Sequence, residues 1–310
     1  MKICFLFPGQ GAQYPGMGKD LWETSEKVKN LFKLASDATE IDMETLLFNS
    51  TEEELKATDK TQIAVTLVNL SACTVLKERG FNPDGIAGFS LGEYAALCEA
   101  GIIKIDDIFP IVKIRGSLME KASRNLDSDS GNPGMVAVIG LEIKKMEEIL
   151  EKEKLEGIYL ANYNSPGQIV ISGTHEGLNN AEPVLMEAGA RRFIRLKVSG
   201  PFHSPLLEEA KEGLKSTLGQ YEFADPEKPV YSNVTGKLIK TGTEAKELCI
   251  KQVVSTVRWV DEEASIIKDG FDKFIETGPG SVLTGLLKRY TKDYPCFPAG
   301  KIEDIENIKL

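Results

Sequence analysis

The sequence predicts an α/β fold whose core of strands and helices is interrupted by a smaller βαββαβ unit, and three observations carry that reading. A short apolar segment, Gly85-Ile86-Ala87-Gly88-Phe89, reads as a buried strand. It runs into helix-forming composition from Leu91 to Ala100, with Ser90 at the join. Residues 127–134 (Asp-Ser-Asp-Ser-Gly-Asn-Pro-Gly) form the sharpest compositional break in the chain and have the polar, Gly/Pro-rich character of a connection between units. Beyond them the periodicity runs strand, helix, strand, strand, helix, strand, which is the ferredoxin-like order.

In chain order, Ile3 to Phe7 is a short apolar run that reads as the first strand. The loop from Pro8 to Gly18 holds four glycines and leaves backbone N–H groups free. Thr61 to Arg79 is apolar at helical spacing, through Ile63, Leu67 and Leu70, and stops at Gly80. After the 85–89 strand, the Leu91 to Ala100 helix places Tyr94, Leu97 and Cys98 on one face and stops at Gly101. A helix from Asp106 to about Lys121 follows. The inserted unit then reads as strand Met135 to Ile139, helix Glu142 to Glu153, strands Gly157 to Asn162 and Gln168 to Ser172, helix Glu176 to Ala188 and strand Arg191 to Val198. Mixed signals return with a helix at Pro205 to Leu218, strands at Pro229 to Asn233 and Phe274 to Glu276, and a helix at Gly280 to Tyr290. The expected units are therefore 1–126 with 199–310, and 127–198.

Composition narrows the function. With 310 residues, 42% hydrophobic and 27% charged, the chain has the make-up of an ordinary soluble protein. Its 37 basic against 47 acidic residues give a net charge of −10, which argues against a nucleic-acid binder. The longest apolar runs, such as 135–139, fall far short of the roughly eighteen residues of a membrane span. The N-terminal apolar run is too short for a signal peptide. A cytoplasmic protein with no membrane partner is expected. Five dispersed cysteines without a Cys-x-x-Cys pair fit reduced thiols. Two histidines, His175 and His203, are too few for a His-rich metal site, so no metal is expected and the choice of general base is narrow.

Gly88-Phe89-Ser90-Leu91-Gly92 has the spacing of a nucleophile elbow. Such a turn pushes the Ser Oγ out of the sheet, and the following helix aims N–H groups at developing negative charge. The alternative is an inert turn serine or helix cap. His203 stands between two prolines, in Pro201-Phe202-His203-Ser204-Pro205, a rigid loop that suits a base. His175, at a helix start, reads as an exposed histidine without a role. Arg115 falls in the apolar stripe of its helix, among Ile108, Ile111, Val112 and Met119. It serves either in a structural ion pair, or by reaching to the surface, or as a bidentate clamp for a substrate carboxylate. No acid between Ser90 and His203 stands out as the third member of a triad, so the group orienting the histidine is expected to be something else.

With these residues in view, the chain resembles the malonyl-CoA:acyl carrier protein transacylases over nearly its whole length. The resemblance rests on Phe7-Pro8-Gly9-Gln10-Gly11, Gln62, Gly88 to Tyr94, Arg115-Gly116, Ala161-Asn162-Tyr163-Asn164 with Gln168, and Pro201 to Ser204. It extends through Ser232 to Gly236, Gln252 before Val257-Arg258-Trp259, and Glu276 to Gly280. It implies an α/β-hydrolase-like core with a ferredoxin-like insertion and a ping-pong reaction through a malonyl-Ser90 intermediate. The implied roles are His203 as base, the backbone N–H groups of Gln10 and Leu91 as oxyanion hole, and the Gln252 carbonyl orienting His203. Arg115 would pair with the malonyl carboxylate, and Gln62, Phe202 and Asn162 would contact substrate. Malonyl-CoA is then a substrate, no cofactor is needed, and acyl carrier protein is the partner. A basic patch for that acidic partner is expected at Lys288-Arg289 or Arg191-Arg192. Most of the family carries a histidine where this chain has Phe89. The same chemistry serves trans-acting acyltransferases of polyketide synthase or malonate decarboxylase systems, whereas a thioesterase or esterase has no use for a carboxylate clamp.

Overall fold

The computed structural model describes residues 1–128 and 131–309; Asp129 and Ser130, within the expected 127–134 connection, lie outside the described residues. Its strands are β1 (Ile3–Phe7), β2 (Gly85–Gly88), β3 (Gly134–Ile139), β4 (Ile158–Ser165) and β5 (Gln168–Gly173), followed by β6 (Arg192–Arg195), β7 (Tyr231–Ser232), β8 (Lys237–Leu238), β9 (Lys273–Glu276) and β10 (Cys296–Pro298). A parallel sheet in the order β10-β9-β1-β2 forms the centre, with Phe7 opposite Gly88 and Leu6 opposite Glu276. This register ends β1, β2 and β9 side by side. The loops that leave them therefore meet at one carboxyl edge, which is where open α/β sheets hold their ligands.

Every residue of β1 is buried, as its apolar run requires. The Thr58–Glu78 helix is buried around most of its circumference, because it packs between the Glu26–Thr39, Leu91–Glu99 and Ile105–Arg124 helices. From it, Asn69 Nδ2 donates to the carbonyl of Pro8 at 2.9 Å and fixes the start of the Gly-rich loop.

The second sheet is antiparallel, in the order β4-β5-β3-β6. Alternation along β3 divides its faces: Val136 and Val138 pack with Met146, Leu178 and Leu185 of the two adjacent helices, while Met135 and Ala137 join the main core. Main-chain pairing links this sheet to the rest of the chain: the Val257 N–H donates to the Ala161 carbonyl at 2.8 Å, and the Tyr163 N–H to the Val257 carbonyl at 2.9 Å.

Several boundaries differ from expectation. β4 continues to Ser165, and β6 covers only Arg192–Arg195; past it the Leu196 N–H still donates to the Met135 carbonyl at 2.9 Å, and Leu196 and Val198 line the cleft. The expected 229–233 strand shrinks to β7, paired with the unforeseen β8, while Val230 bridges in parallel to Ile86. β10 is a three-residue edge strand ending in Pro298, too short to leave a period in the sequence.

Among the described residues, no helix is long and apolar enough to cross a membrane, and no three of His, Cys, Asp or Glu gather in a group that could hold a metal ion. All five cysteines are free, and burial raises every thiol pKa, to about 12 at Cys98 and Cys296, which leaves none poised as a thiolate nucleophile.

Candidate active site

Ser90 sits between β2 and the Leu91–Glu99 helix with φ 51° and ψ −107°, a backbone conformation that L residues rarely adopt. The two flanking glycines are there for space. A Cβ on Gly88 would come within 2.1 Å of the Gly92 main chain, and one on Gly92 within 2.0 Å of the Phe7 carbonyl. The strained turn is held from below, where the Ser90 N–H donates to Asn233 Oδ1 at 2.6 Å.

His203 also has a left-handed backbone, with φ 57°. Its Nε2 lies 2.7 Å from Ser90 Oγ, and its Nδ1–H donates to the Gln252 carbonyl at 2.9 Å. That second bond sets the tautomer: with the proton on Nδ1, the Nε2 lone pair faces the serine hydroxyl. The ring is 4% exposed, and its pKa is lowered from 6.5 to about 4, chiefly by burial and then by the Arg115 cation; bonds to backbone carbonyls oppose the shift. At neutral pH the imidazole is therefore an unprotonated acceptor. A main-chain carbonyl, not a carboxylate, occupies the orienting position. His175 takes no part. It starts the His175–Glu187 helix and is half-buried against Gly131, more covered than the exposed residue expected.

Arg115 is 1% exposed, which removes the surface-reaching alternative. Its Nη1 donates to Gln62 Oε1 at 2.8 Å and its Nη2 to Gln252 Oε1 at 2.9 Å, while Nη2 also lies 3.5 Å from Ser90 Oγ. The guanidinium stacks over Tyr94, 5.1 Å from the ring centroid, and its Nε has no partner among the described residues. Both strong acceptors are neutral amides. They hold the cation in place without neutralising it, so among the described residues Arg115 has no ion pair, and a buried positive charge stands beside Ser90 Oγ.

A cavity of about 190 Å³ opens over Ser90. Its lining includes Gln10, Leu91, Arg115, Asn162, Phe202 and His203, with apolar walls from Met119, Met135, Val170 and Leu286. The N–H groups of Gln10 and Leu91 have no acceptor among the described residues; Gln10 lies on the loop after β1, Leu91 opens the helix after Ser90, and both residues line the cavity. Phe89 also lines the cavity and packs edge-on against Trp259, with centroids 5.4 Å apart. Asn164 contributes a buried Oδ1 with no hydrogen-bond partner among the described residues.

One expected contact is displaced. Gln62 is wholly buried behind Arg115, where it supports the guanidinium and does not line the cavity. Of the basic pairs, Arg289 bonds Gln168, which lines the cavity, and the Arg191 N–H donates to the carbonyl of Ile139, the residue opposite Gln168 in the sheet. Sequence reasoning missed the Asn233 side chain beneath Ser90, the Gln252 side chain against Arg115, and Glu93 behind both. All three lay within the quoted motifs, but nothing in their spacing shows which atoms meet.

Comparison with known proteins agrees with this geometry. A family model described as an acyl transferase domain matches residues 4–309. The malonyl CoA-acyl carrier protein transacylase of Bacillus subtilis (strain 168) is 39% identical over 307 residues, 98% of this chain and 95% of that protein. The crystal structure of the transacylase of that name from Clostridium perfringens superposes with a TM-score of 0.93 at 39% identity, over 99% of this chain and 95% of that one. A malonyl-transacylase solved in complex with its type II PKS acyl-carrier protein gives a TM-score of 0.93 at 33% identity, over 99% and 98%. Matched from end to end by sequence and by shape, this chain belongs to the malonyl CoA-acyl carrier protein transacylase family of acyltransferases.

Proposed function

We propose that this enzyme moves the malonyl group of malonyl-CoA to the phosphopantetheine thiol of acyl carrier protein, supplying malonyl units for fatty acid synthesis. The observation that carries the reading is the un-neutralised Arg115 guanidinium 3.5 Å from the nucleophilic oxygen, a distance that a three-carbon acyl group with a terminal carboxylate spans. Ser90 Oγ attacks the thioester carbonyl as its proton passes to His203 Nε2. The oxyanion is received by the N–H groups of Gln10 and Leu91. His203 then returns the proton to the departing CoA sulfur. In the second half-reaction the carrier thiol gives its proton to His203 and attacks the malonyl-Ser90 ester; the bond from Ser90 Oγ to the acyl carbon breaks, and His203 passes the proton to Oγ, which restores free Ser90 and neutral His203. Phe202, beside the acyl α-carbon, leaves little room for a branching methyl and disfavours methylmalonyl by about 1–3 kcal/mol.

The wider reading follows the same line. Residues 1–126 and 199–310 form an α/β-hydrolase-like core, 127–198 a ferredoxin-like insertion, and the enzyme works in the cytoplasm without a cofactor. The order β4-β5-β3-β6 and the carboxyl-edge position of Ser90 support the two labels. Mixing the protein with malonyl-CoA and measuring its intact mass tests the function. A malonyl adduct that discharges to acyl carrier protein is expected; absence of any adduct overturns the reading. A polyketide carrier that discharges the adduct faster than a fatty acid carrier would reassign the pathway without altering the chemistry.

The His203 environment gives a pH prediction. The folded chain holds this imidazole near pKa 4, below its ordinary 6.5, so the neutral form is the one stabilised. Its contribution to stability is present above the ordinary value and is lost as pH falls from about 6.5 toward about 4. Stopped-flow acylation should keep its neutral-pH rate down to about pH 5, where about nine-tenths of such a group is still unprotonated. A midpoint near 6.5 would show that the base is exposed or is a different residue.

A further inference from the structure

Beneath the elbow lies a buried carboxylate that the acyl-transfer steps do not use. Glu93, three residues after the nucleophile, is fully buried, and its Oε2 receives two N–H groups: Gln252 Nε2 at 2.8 Å and the Asn233 main chain at 3.0 Å. Each leads to the site. Asn233 Oδ1 accepts the Ser90 N–H, and Gln252 Oε1 accepts Arg115 Nη2. We propose that Glu93 is a positioning residue which, through the Gln252 side-chain amide, fixes the Arg115 guanidinium and so sets the preference for a carboxylated acyl group.

The argument is one of donor and acceptor matching. Gln252 Nε2 faces three acceptors, Glu93 Oε2, the Ser90 carbonyl at 3.0 Å and Asn233 Oδ1 at 3.2 Å. Turning the amide over would set its oxygen against all three and its NH2 against the arginine, which has only donors. Glu93 makes the shortest of these bonds and is the one carboxylate among them. A single amide therefore lies between the buried carboxylate and the buried cation. The acid fixes Arg115 without touching it and without occupying the N–H groups that a substrate carboxylate needs.

The inference rests on the malonyl reading of the site. Its test compares the parent enzyme with Glu93→Met, which removes the acceptor at similar length, and Glu93→Gln, which keeps an oxygen there. Steady-state transfer from malonyl-CoA and acetyl-CoA is measured beside Ser90 sulfonylation by phenylmethanesulfonyl fluoride. A hydrogen bond to a charged group is worth enough that Glu93→Met should raise the malonyl-CoA KM roughly ten- to hundredfold and narrow the malonyl-to-acetyl preference by a similar factor. Sulfonylation, which needs Ser90 and His203 and not the clamp, should fall by less than about threefold, because Asn233 keeps its bonds to the Gly88 carbonyl and Glu262 beneath the elbow. Glu93→Gln should restore the preference to within about threefold of the parent. Glu93→Asp, with the acceptor withdrawn by one methylene, gives a weaker form of the same split and serves if the Met variant does not fold. An unchanged preference in the folded Met or Asp variant overturns the assignment, as does a parallel fall of both readouts that Glu93→Gln does not rescue. A parent enzyme that takes no malonyl at all overturns the functional reading instead.

Discussion

Ser90→Ala should eliminate the malonyl adduct and lower malonyl transfer by about 10⁶-fold, the scale of loss when the nucleophile of a serine triad is removed. The size follows from the division of labour in the site. Without Oγ there is no covalent intermediate, and His203, the oxyanion donors and Arg115 are left to orient a bound thioester toward water or a distant thiol. The fold should survive, because among the described residues Ser90 Oγ bonds only His203 and, at 3.5 Å, Arg115, while the Asn233 bond beneath the elbow uses the main-chain N–H. The check is intact mass after exposure to malonyl-CoA, with thermal unfolding to show that the variant is native. A Ser90→Ala protein that still carries malonyl would place the nucleophile elsewhere.

Arg115→Ala should lower kcat/KM for malonyl-CoA by roughly 30- to 4,000-fold, the equivalent of the 2–5 kcal/mol lost when one partner of a desolvated charge pair is truncated. Acetyl transfer should hold at or above the parent level, because the neutral acyl group gains nothing from the cation. The two substrates moving in opposite directions separate a clamp from a scaffold. If Arg115 only held Gln62 and Gln252 in place, removing it would strand two buried amide oxygens and depress both reactions together. Equal losses on malonyl-CoA and acetyl-CoA would therefore refute the clamp.

Much of this site was legible in the sequence because its geometry is local. The Gly88-x-Ser90-x-Gly92 spacing dictates a turn that only glycines tolerate, and two prolines around His203 announce a rigid loop. Arg115 in an apolar stripe states a need that some anion must meet. The fold was legible for a related reason: β1 and β3 are both unbroken apolar runs bounded by turn residues. What escaped was long-range and polar. Nothing along the chain joins Ser90 to Asn233 or Arg115 to the side chain of Gln252, since amides look alike wherever they fall. The Gln252 carbonyl was assigned through family resemblance, and no periodicity marks a single main-chain oxygen. The acids posed the reverse problem. A triad carboxylate would lie between Ser90 and His203 and touch the imidazole; Glu93 lies in that interval, three residues after Ser90, but meets the histidine's support, Gln252, from behind. Short edge strands such as β10 and paired fragments such as β7 with β8 are below the length at which period can be read.

The main-chain pairing of Val257 with Ala161 and Tyr163 has a consequence for how this chain can be taken apart. By sequence the 134–195 sheet and its helices are a continuous passage, the sort of piece that protein engineers excise or graft. By construction they are not detachable, because the outer edge of β4 is completed by a residue some ninety positions downstream. Cut free, the piece would present an open, hydrogen-bond-hungry edge and would tend to add strands from its neighbours. Grafted between homologues, it needs that backbone at the same place and fitting side chains as well, since Thr256 Oγ1 bonds the Leu160 carbonyl and Met135 and Ala137 pack into the main core. The backbone thus denies independence and the packing denies free exchange, and the natural unit of shuffling is the whole chain.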